Sequence, residues 1–208
     1  MTRTYPTQQE AFWAGEFGNE YVSRNRSSAL VSANLALFSK ILSHTREIHS
    51  VIEFGANIGL NIIALKQLLP DAKFSAIEIN DKAAEELGKL EGLNVHHQSI
   101  LDFTPIEQHE FVLTKGVLIH INPDRLAEVY ERLYQSSSRY VCLIEYYNPT
   151  PTGIPYRGQT DKLFKRDFAG EMLDRFKNLV LVNYGFGYHR DACFPQDDIT
   201  WFLMEKKC

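Results

Sequence analysis

The chain is 208 residues long, 44% hydrophobic, 23% charged and 12% aromatic. That mix excludes disordered and fibrous classes and suits one domain with a single sizeable core. Its 22 Lys and Arg against 26 Asp and Glu leave a net charge of −4, without the basic footprint of a nucleic-acid binder. Cys142, Cys193 and Cys208 form no C-x-x-C pair, so neither a disulfide framework nor a zinc site is expected. No apolar run reaches the roughly 18 residues of a membrane span, and the first residues lack the apolar core of a signal peptide. The expectation is a soluble, cytoplasmic domain over 1–208, with no metal and no membrane partner.

Residues 8–46 are expected as helix. Phe12, Trp13, Phe17 and Tyr21 recur near helical spacing, interrupted by Gly15 and Gly18, and a second apolar-rich helix carries Leu30, Leu37, Phe38 and Ile41. The rhythm then changes. The run 50–54 ends at Gly55 and fits a buried strand; 61–69 continues as helix and stops at Pro70; 73–79 is a second strand and 81–90 a helix. Further strands are expected at 93–96, 110–116 and 139–146, with a helix over 123–134 that Asn122 caps and Pro123 opens. Strands alternating with helices predict an open parallel sheet covered on both faces. The tail departs from this: 178–187 and 199–206 are strand-like with no helical pattern between them, predicting an antiparallel pair at one edge.

The sharpest local signal is Glu53-Phe54-Gly55-Ala56-Asn57-Ile58-Gly59, which ends a strand and opens a helix. Asn57 holds the position where a dinucleotide site wants glycine, and a carboxylate at Glu53 repels a pyrophosphate. A nicotinamide dehydrogenase is therefore disfavoured, while Glu53 suits a cationic amino group. Glu78 ends the second strand, where an acid accepts hydrogen bonds from ribose hydroxyls.

The acid-x-Gly-x-x-x-Gly turn, the second-strand acid and the antiparallel final pair together resemble a class I S-adenosylmethionine-dependent methyltransferase. The resemblance covers nearly the whole chain and implies a Rossmann-like, doubly wound, mostly parallel seven-stranded α/β sheet with an antiparallel final strand. It implies S-adenosyl-L-methionine as cofactor, with Glu53, Gly55, Asn57 and Gly59 around the methionine part and Glu78 and Ile79 at the ribose. Ser99 and Ile100 fall beside adenine, with Ser99 where many members carry an acid; Lys115 and Gly116 fall under the methionine portion. His120 is the side chain of that last segment suited to proton transfer near neutral pH, with Glu145 and Tyr147 as further candidate bases.

A closer resemblance comes from the strings Phe12-Trp13-Ala14-Gly15-Glu16-Phe17-Gly18-Asn19-Glu20-Tyr21, Glu145-Tyr146-Tyr147-Asn148-Pro149 and Pro155-Tyr156-Arg157-Gly158. These resemble the pseudaminic acid biosynthesis-associated methylases. Physically, 1–46 is expected as a helical lid, with Phe17 and Tyr21 one turn apart on one face and Arg24 or Arg26 reaching the methionine carboxylate. The insert 146–170 leaves the carboxyl end of a strand, where open parallel sheets bind ligands. Tyr147, Tyr156, Arg157 and Arg166 there suit an acceptor carrying an anionic group. The function expected is methyl transfer to an oxygen or nitrogen of a small metabolite, such as a nucleotide-linked or acidic sugar. The alternative is a non-catalytic protein of the same fold that binds S-adenosylmethionine.

Overall fold

A computed structural model describes residues 5–24 and 27–207. Five strands, β1 (Ser50–Phe54), β2 (Lys73–Glu78), β3 (Leu93–His97), β4 (His109–Lys115) and β5 (Ser137–Glu145), pair in parallel. Two more, β8 (Leu179–Gly187) and β9 (Ile199–Lys206), complete a seven-stranded sheet of order β3-β2-β1-β4-β5-β9-β8. β9 pairs antiparallel with both its neighbours, as the missing crossover helix in the tail predicts. A two-stranded hairpin, β6 (Thr152–Gly153) with β7 (Phe164–Lys165), folds inside the insert; the sequence pattern announces no strands there.

The central strands are apolar on both faces because each face is covered. Val51, Phe111, Leu113, Cys142 and Ile144 pack with α3 (Ser28–Leu42) and α4 (Leu60–Leu68), while Ile52, Val112, Val141 and Leu143 pack with α6 (Leu126–Ser136) and α7 (Phe168–Arg175). Alternate residues of one strand thus feed two cores, the two-residue period of the pleat acting on a doubly covered sheet. α5 (Asp81–Leu87) adds Leu87 to a smaller cluster with Ala56 and Ala76. Among the described residues no helix is long and apolar enough to cross a membrane.

The expected helix over 8–46 is three helices: α1 (Gln8–Ala14), α2 (Glu16–Arg24) and α3. The break has a steric cause. A Cβ on Gly18 would lie 1.8 Å from the Trp13 carbonyl oxygen, so glycine lets α2 turn back against the end of α1. The glycines that interrupt the apolar spacing are the corner itself. α1 opens with a reciprocal capping box, in which Glu10 N–H donates to Thr7 Oγ1 and Thr7 N–H donates to Glu10 Oε2, each at 3.1 Å.

Candidate functional site

The carboxyl ends of the five parallel strands share one edge of the sheet, and a cavity of about 540 Å³ opens along it. Its floor is the segment that follows each strand. After β1 the chain turns through three left-handed residues, Gly55 (φ 76°), Asn57 (φ 48°) and Gly59 (φ 81°). Asparagine tolerates that conformation better than other side chains do. A Cβ on Gly55 would come within 2.6 Å of a Val117 methyl, so β1 and the segment after β4 approach each other only with glycine there.

Glu78 locks this turn. Its Oε2 accepts the Asn57 N–H at 2.7 Å and its Oε1 accepts the Asn80 N–H at 2.8 Å. The carboxylate retains acceptor capacity for a hydroxyl beyond these N–H groups, and Glu78 lines the cavity. Burial raises its pKa while the backbone N–H groups hold it down.

Beside the turn lies an incompletely satisfied polar pocket. Glu53 is fully buried; its Oε1 accepts from Asn61 Nδ2 at 2.6 Å, while its Oε2 and Asn61 Oδ1 have no partner. Burial pushes the Glu53 pKa up to about 8, against the opposing pull of Asn61 and the Lys115 ammonium. Lys115, at the end of β4, donates to Asn34 Oδ1 at 2.8 Å, and burial lowers its pKa. Two buried polar oxygens without partners beside a half-buried cation are an unfinished arrangement.

After β4 a short 3-10 turn, Leu118–His120, carries His120 to the cavity wall. The ring is nine-tenths buried, and burial lowers its pKa to about 4. The imidazole is therefore neutral at pH 7. Its Nδ1 lies 2.6 Å from the Lys162 carbonyl oxygen; a carbonyl only accepts, so the proton belongs on Nδ1 and Nε2 keeps its lone pair. Glu145 acts beneath this turn. It does not line the cavity, and its Oε1 accepts the Val117 and Leu118 N–H groups at 3.0 Å each. Burial raises its pKa to about 7. The geometry makes it a positioning residue for the segment bearing His120.

The roof comes from the lid and the insert. Trp13 lies 4.5 Å from the His120 ring and 5.3 Å from Tyr21; Tyr156 lies 5.3 Å from His120 and 5.9 Å from Phe17. Tyr156 and Gln159 exchange both backbone hydrogen bonds, at 2.8 and 2.9 Å, around Arg157 (φ 48°) and Gly158 (φ 78°). Two positive-φ residues at the tip are the signature of a tight type I′ turn, which sets Arg157 at the cavity edge. Gln9 Nε2 donates to the Asp161 carbonyl at 2.9 Å, and Asn80, which caps α5, donates to the Trp13 carbonyl at 3.1 Å.

Of the residues singled out from sequence, Tyr21, Gly55, Asn57, Glu78, Ile79, Ser99, Ile100, Lys115, Gly116, His120, Tyr156 and Arg157 line this one cavity. Gly59 stands behind the turn, where a Cβ would meet Leu87 and Leu90 within 3 Å. Phe17 stacks on Phe12 at 4.1 Å and joins lid to insert without lining the cavity. Tyr147 is exposed beside Phe202, and Arg166 pairs with Glu171 of α7 at 2.6 Å; neither reaches the cavity. Arg24 is exposed over the Phe17 ring, and Arg26 lies outside the described residues. Sequence reasoning missed Glu10, Trp13, Asn34 and Asn80 as site residues. Only the aromatic spacing of Trp13 hinted at one of them.

No family model matches the sequence, and no curated protein matches it. Solved structures do share its fold. A Burkholderia thailandensis 1,6-didemethyltoxoflavin-N1-methyltransferase with bound 1,6-didemethyltoxoflavin and S-adenosylhomocysteine superposes with a TM-score of 0.71 at 14% identity, over 100% of this chain and 93% of that one. A plantazolicin methyltransferase in complex with S-adenosylhomocysteine gives 0.67 at 13%, over 96% and 94%. The magnesium protoporphyrin IX methyltransferase of Synechocystis PCC 6803 with bound S-adenosylmethionine gives 0.65 at 12%, over 99% and 100%. The chain has the fold of these proteins.

Proposed function

We propose that this protein is an S-adenosylmethionine-dependent methyltransferase that methylates an oxygen or nitrogen of a small metabolite carrying an anionic group. The observation that carries the reading is the cavity itself, which joins the Glu78-locked turn to Asn61, to Lys115 and to a neutral His120 with a free Nε2, while Glu53 does not line it and stands buried behind Asn61. The solved structures of the same fold, which bind S-adenosylmethionine or S-adenosylhomocysteine, support it.

The residues present fit that cofactor. The unpartnered Glu53 Oε2 and Asn61 Oδ1 fit an α-ammonium, whose charge would draw the proton off Glu53 and whose N–H groups would satisfy both oxygens. Lys115 is a half-buried cation for the α-carboxylate, and Glu78 retains acceptor capacity for ribose hydroxyls. Bound there, the cofactor supplies an already activated methyl group, so the protein's task is alignment and exclusion of water. Trp13, Tyr21 and Tyr156 close the cavity with aromatic surface. His120 Nε2 takes the proton of an acceptor hydroxyl or amine, and the Lys162 carbonyl holds the ring in the tautomer that leaves Nε2 free. Arg157, in reach of the mouth, pairs with an anionic group on the acceptor. The similarity of the lid and insert strings to the pseudaminic acid biosynthesis-associated methylases favours an acidic or nucleotide-linked sugar, and a cytoplasmic location goes with that metabolite class.

Two measurements test the proposal. Calorimetry with S-adenosylhomocysteine should give micromolar or tighter binding, and no binding would overturn the cofactor. A methyl-release assay over nucleotide-linked and acidic sugars should then find turnover. Cofactor binding with no turnover over a broad panel of small acceptors would favour the non-catalytic alternative.

A further inference from the structure

The end of the cavity beyond β3 carries a feature that the sheet alone does not build. Ser99 is buried, its Oγ accepts the Leu101 N–H at 3.0 Å, and its hydroxyl donates to Glu10 Oε1. Glu10 comes from the lid helix α1, 89 residues away in sequence. Its other oxygen accepts from the Thr7 N–H at 3.1 Å and the Thr7 hydroxyl at 2.8 Å. Both Glu10 and Ser99 line the cavity, together with Ile79, Ile100 and Leu101.

This is a slot with apolar walls and an acidic end, and its hydrogen-bonding sense is one-sided. The Ser99 proton is committed to Glu10, so the pair offers further acceptor capacity and no free proton. Apolar walls suit the faces of a flat heterocycle. An acceptor-only edge takes a heterocycle whose rim presents an amine to it, while a rim carbonyl at the same position meets it acceptor to acceptor. Adjacent strands lie about 4.8 Å apart, so this slot at β3 sits one strand beyond Glu78 at β2, on the side away from the β1 turn. That is the order base, ribose, amino acid along the sheet edge.

Resting on the cofactor reading above, we infer that Glu10 is the residue that selects the 6-amino group of the cofactor's purine, so that a lid-borne carboxylate performs base recognition in place of an acid on the sheet. Ser99 orients that carboxylate. Because Glu10 lies one helical turn before Trp13, which packs on His120, the same short helix reads the base at one end of the cavity and walls the acceptor at the other.

Calorimetry with S-adenosylhomocysteine and S-inosylhomocysteine, its 6-oxo counterpart, separates the possibilities. The wild-type protein should prefer the amino form by roughly 10- to 100-fold. Glu10→Ala should weaken the amino form and bring the preference below about threefold, and Glu10→Gln, whose amide also donates, should move it toward the oxo form. Phe12→Leu loosens the packing of the same helix on Phe17 as a merely structural change would, yet keeps the Glu10 carboxylate and its hydrogen-bond partners, so its preference should match wild type. A preference unchanged in Glu10→Gln, or lost equally in Phe12→Leu, overturns the inference while leaving the cofactor reading intact. Wild-type protein that binds neither ligand sinks both together.

Discussion

The two halves of the cavity are built in different ways. The half on the sheet is made of backbone: left-handed residues at Gly55, Asn57 and Gly59, and main-chain N–H groups given to Glu78 and Glu145. Its partners are close in sequence, with Asn61 8 residues from Glu53 and Asn57 21 from Glu78. The half under the lid and insert is joined by side chains from distant parts of the chain. Gln9 reaches Asp161 across 152 residues and Asn80 reaches Trp13 across 67, with ring contacts between Trp13, His120 and Tyr156. Backbone hydrogen bonds within a sheet part only with the sheet, whereas side-chain contacts can part while the core stays folded. One half can therefore stay set while the other admits ligands.

If that division is right, the two halves should fail differently. The largest effect belongs to the junction: His120→Ala should lower kcat by roughly 10²–10⁴-fold in a methyl-release assay, with S-adenosylhomocysteine affinity by calorimetry within about threefold. The same residue sets a pH signature. Its folded-state pKa near 4 lies below the ordinary 6.5, so His120 stays a competent base as pH falls through 6.5, and the acid limb of kcat should lie nearer pH 4 than 6.5.

Breaking the sheet half should cost stability. Gly55→Ala forces a side chain into a left-handed conformation and against Val117, destabilising by roughly 3–4 kcal/mol in urea denaturation and removing cofactor binding with it. A retained midpoint would show that the turn is not fixed by that close approach.

Glu53 sharpens the picture through pH. An acid whose folded-state pKa is raised contributes full stability below its unfolded value of 4.5 and loses it as pH climbs toward about 8. The ligand-free protein should therefore lose Tm from about pH 4.5 to 8 and level off above. Glu53→Gln should remove much of that loss, worth up to roughly 4 kcal/mol at pH 8, while weakening S-adenosylhomocysteine binding. Stability gained and affinity lost in one variant would mark the pocket as built for a ligand rather than for the fold.

The smallest effect is expected at the rim of the lid half. Glycine suits the positive φ of Arg157, so Arg157→Gly should leave Tm unchanged or slightly raised. Its KM for an anionic acceptor should rise about 5- to 10-fold with kcat unchanged. A KM that does not move would remove the anionic-group reading.

Much of this was legible in the linear chain, and for definite reasons. Strands β1, β2, β4 and β5 announced themselves because burial on both faces demands continuous apolar runs, and β9 because no crossover helix precedes it. The turn from Gly55 to Gly59 was legible because left-handed backbone selects glycine and asparagine, and Glu78 because it ends a strand beside that turn. Those are local constraints, written where they act. Tertiary structure decided what distant side chains do when they meet. Arg166, an apparent acceptor ligand, is taken by Glu171; Glu145, an apparent base, holds the backbone beneath His120; Tyr147 stays outside. Glu10 shows the same thing from the other side, since sequence reasoning passes over it, and a contact across 89 residues sets it in the cavity beside Ser99. A side chain's chemistry is local, but its partner is chosen by packing, and packing joins residues that sequence proximity cannot.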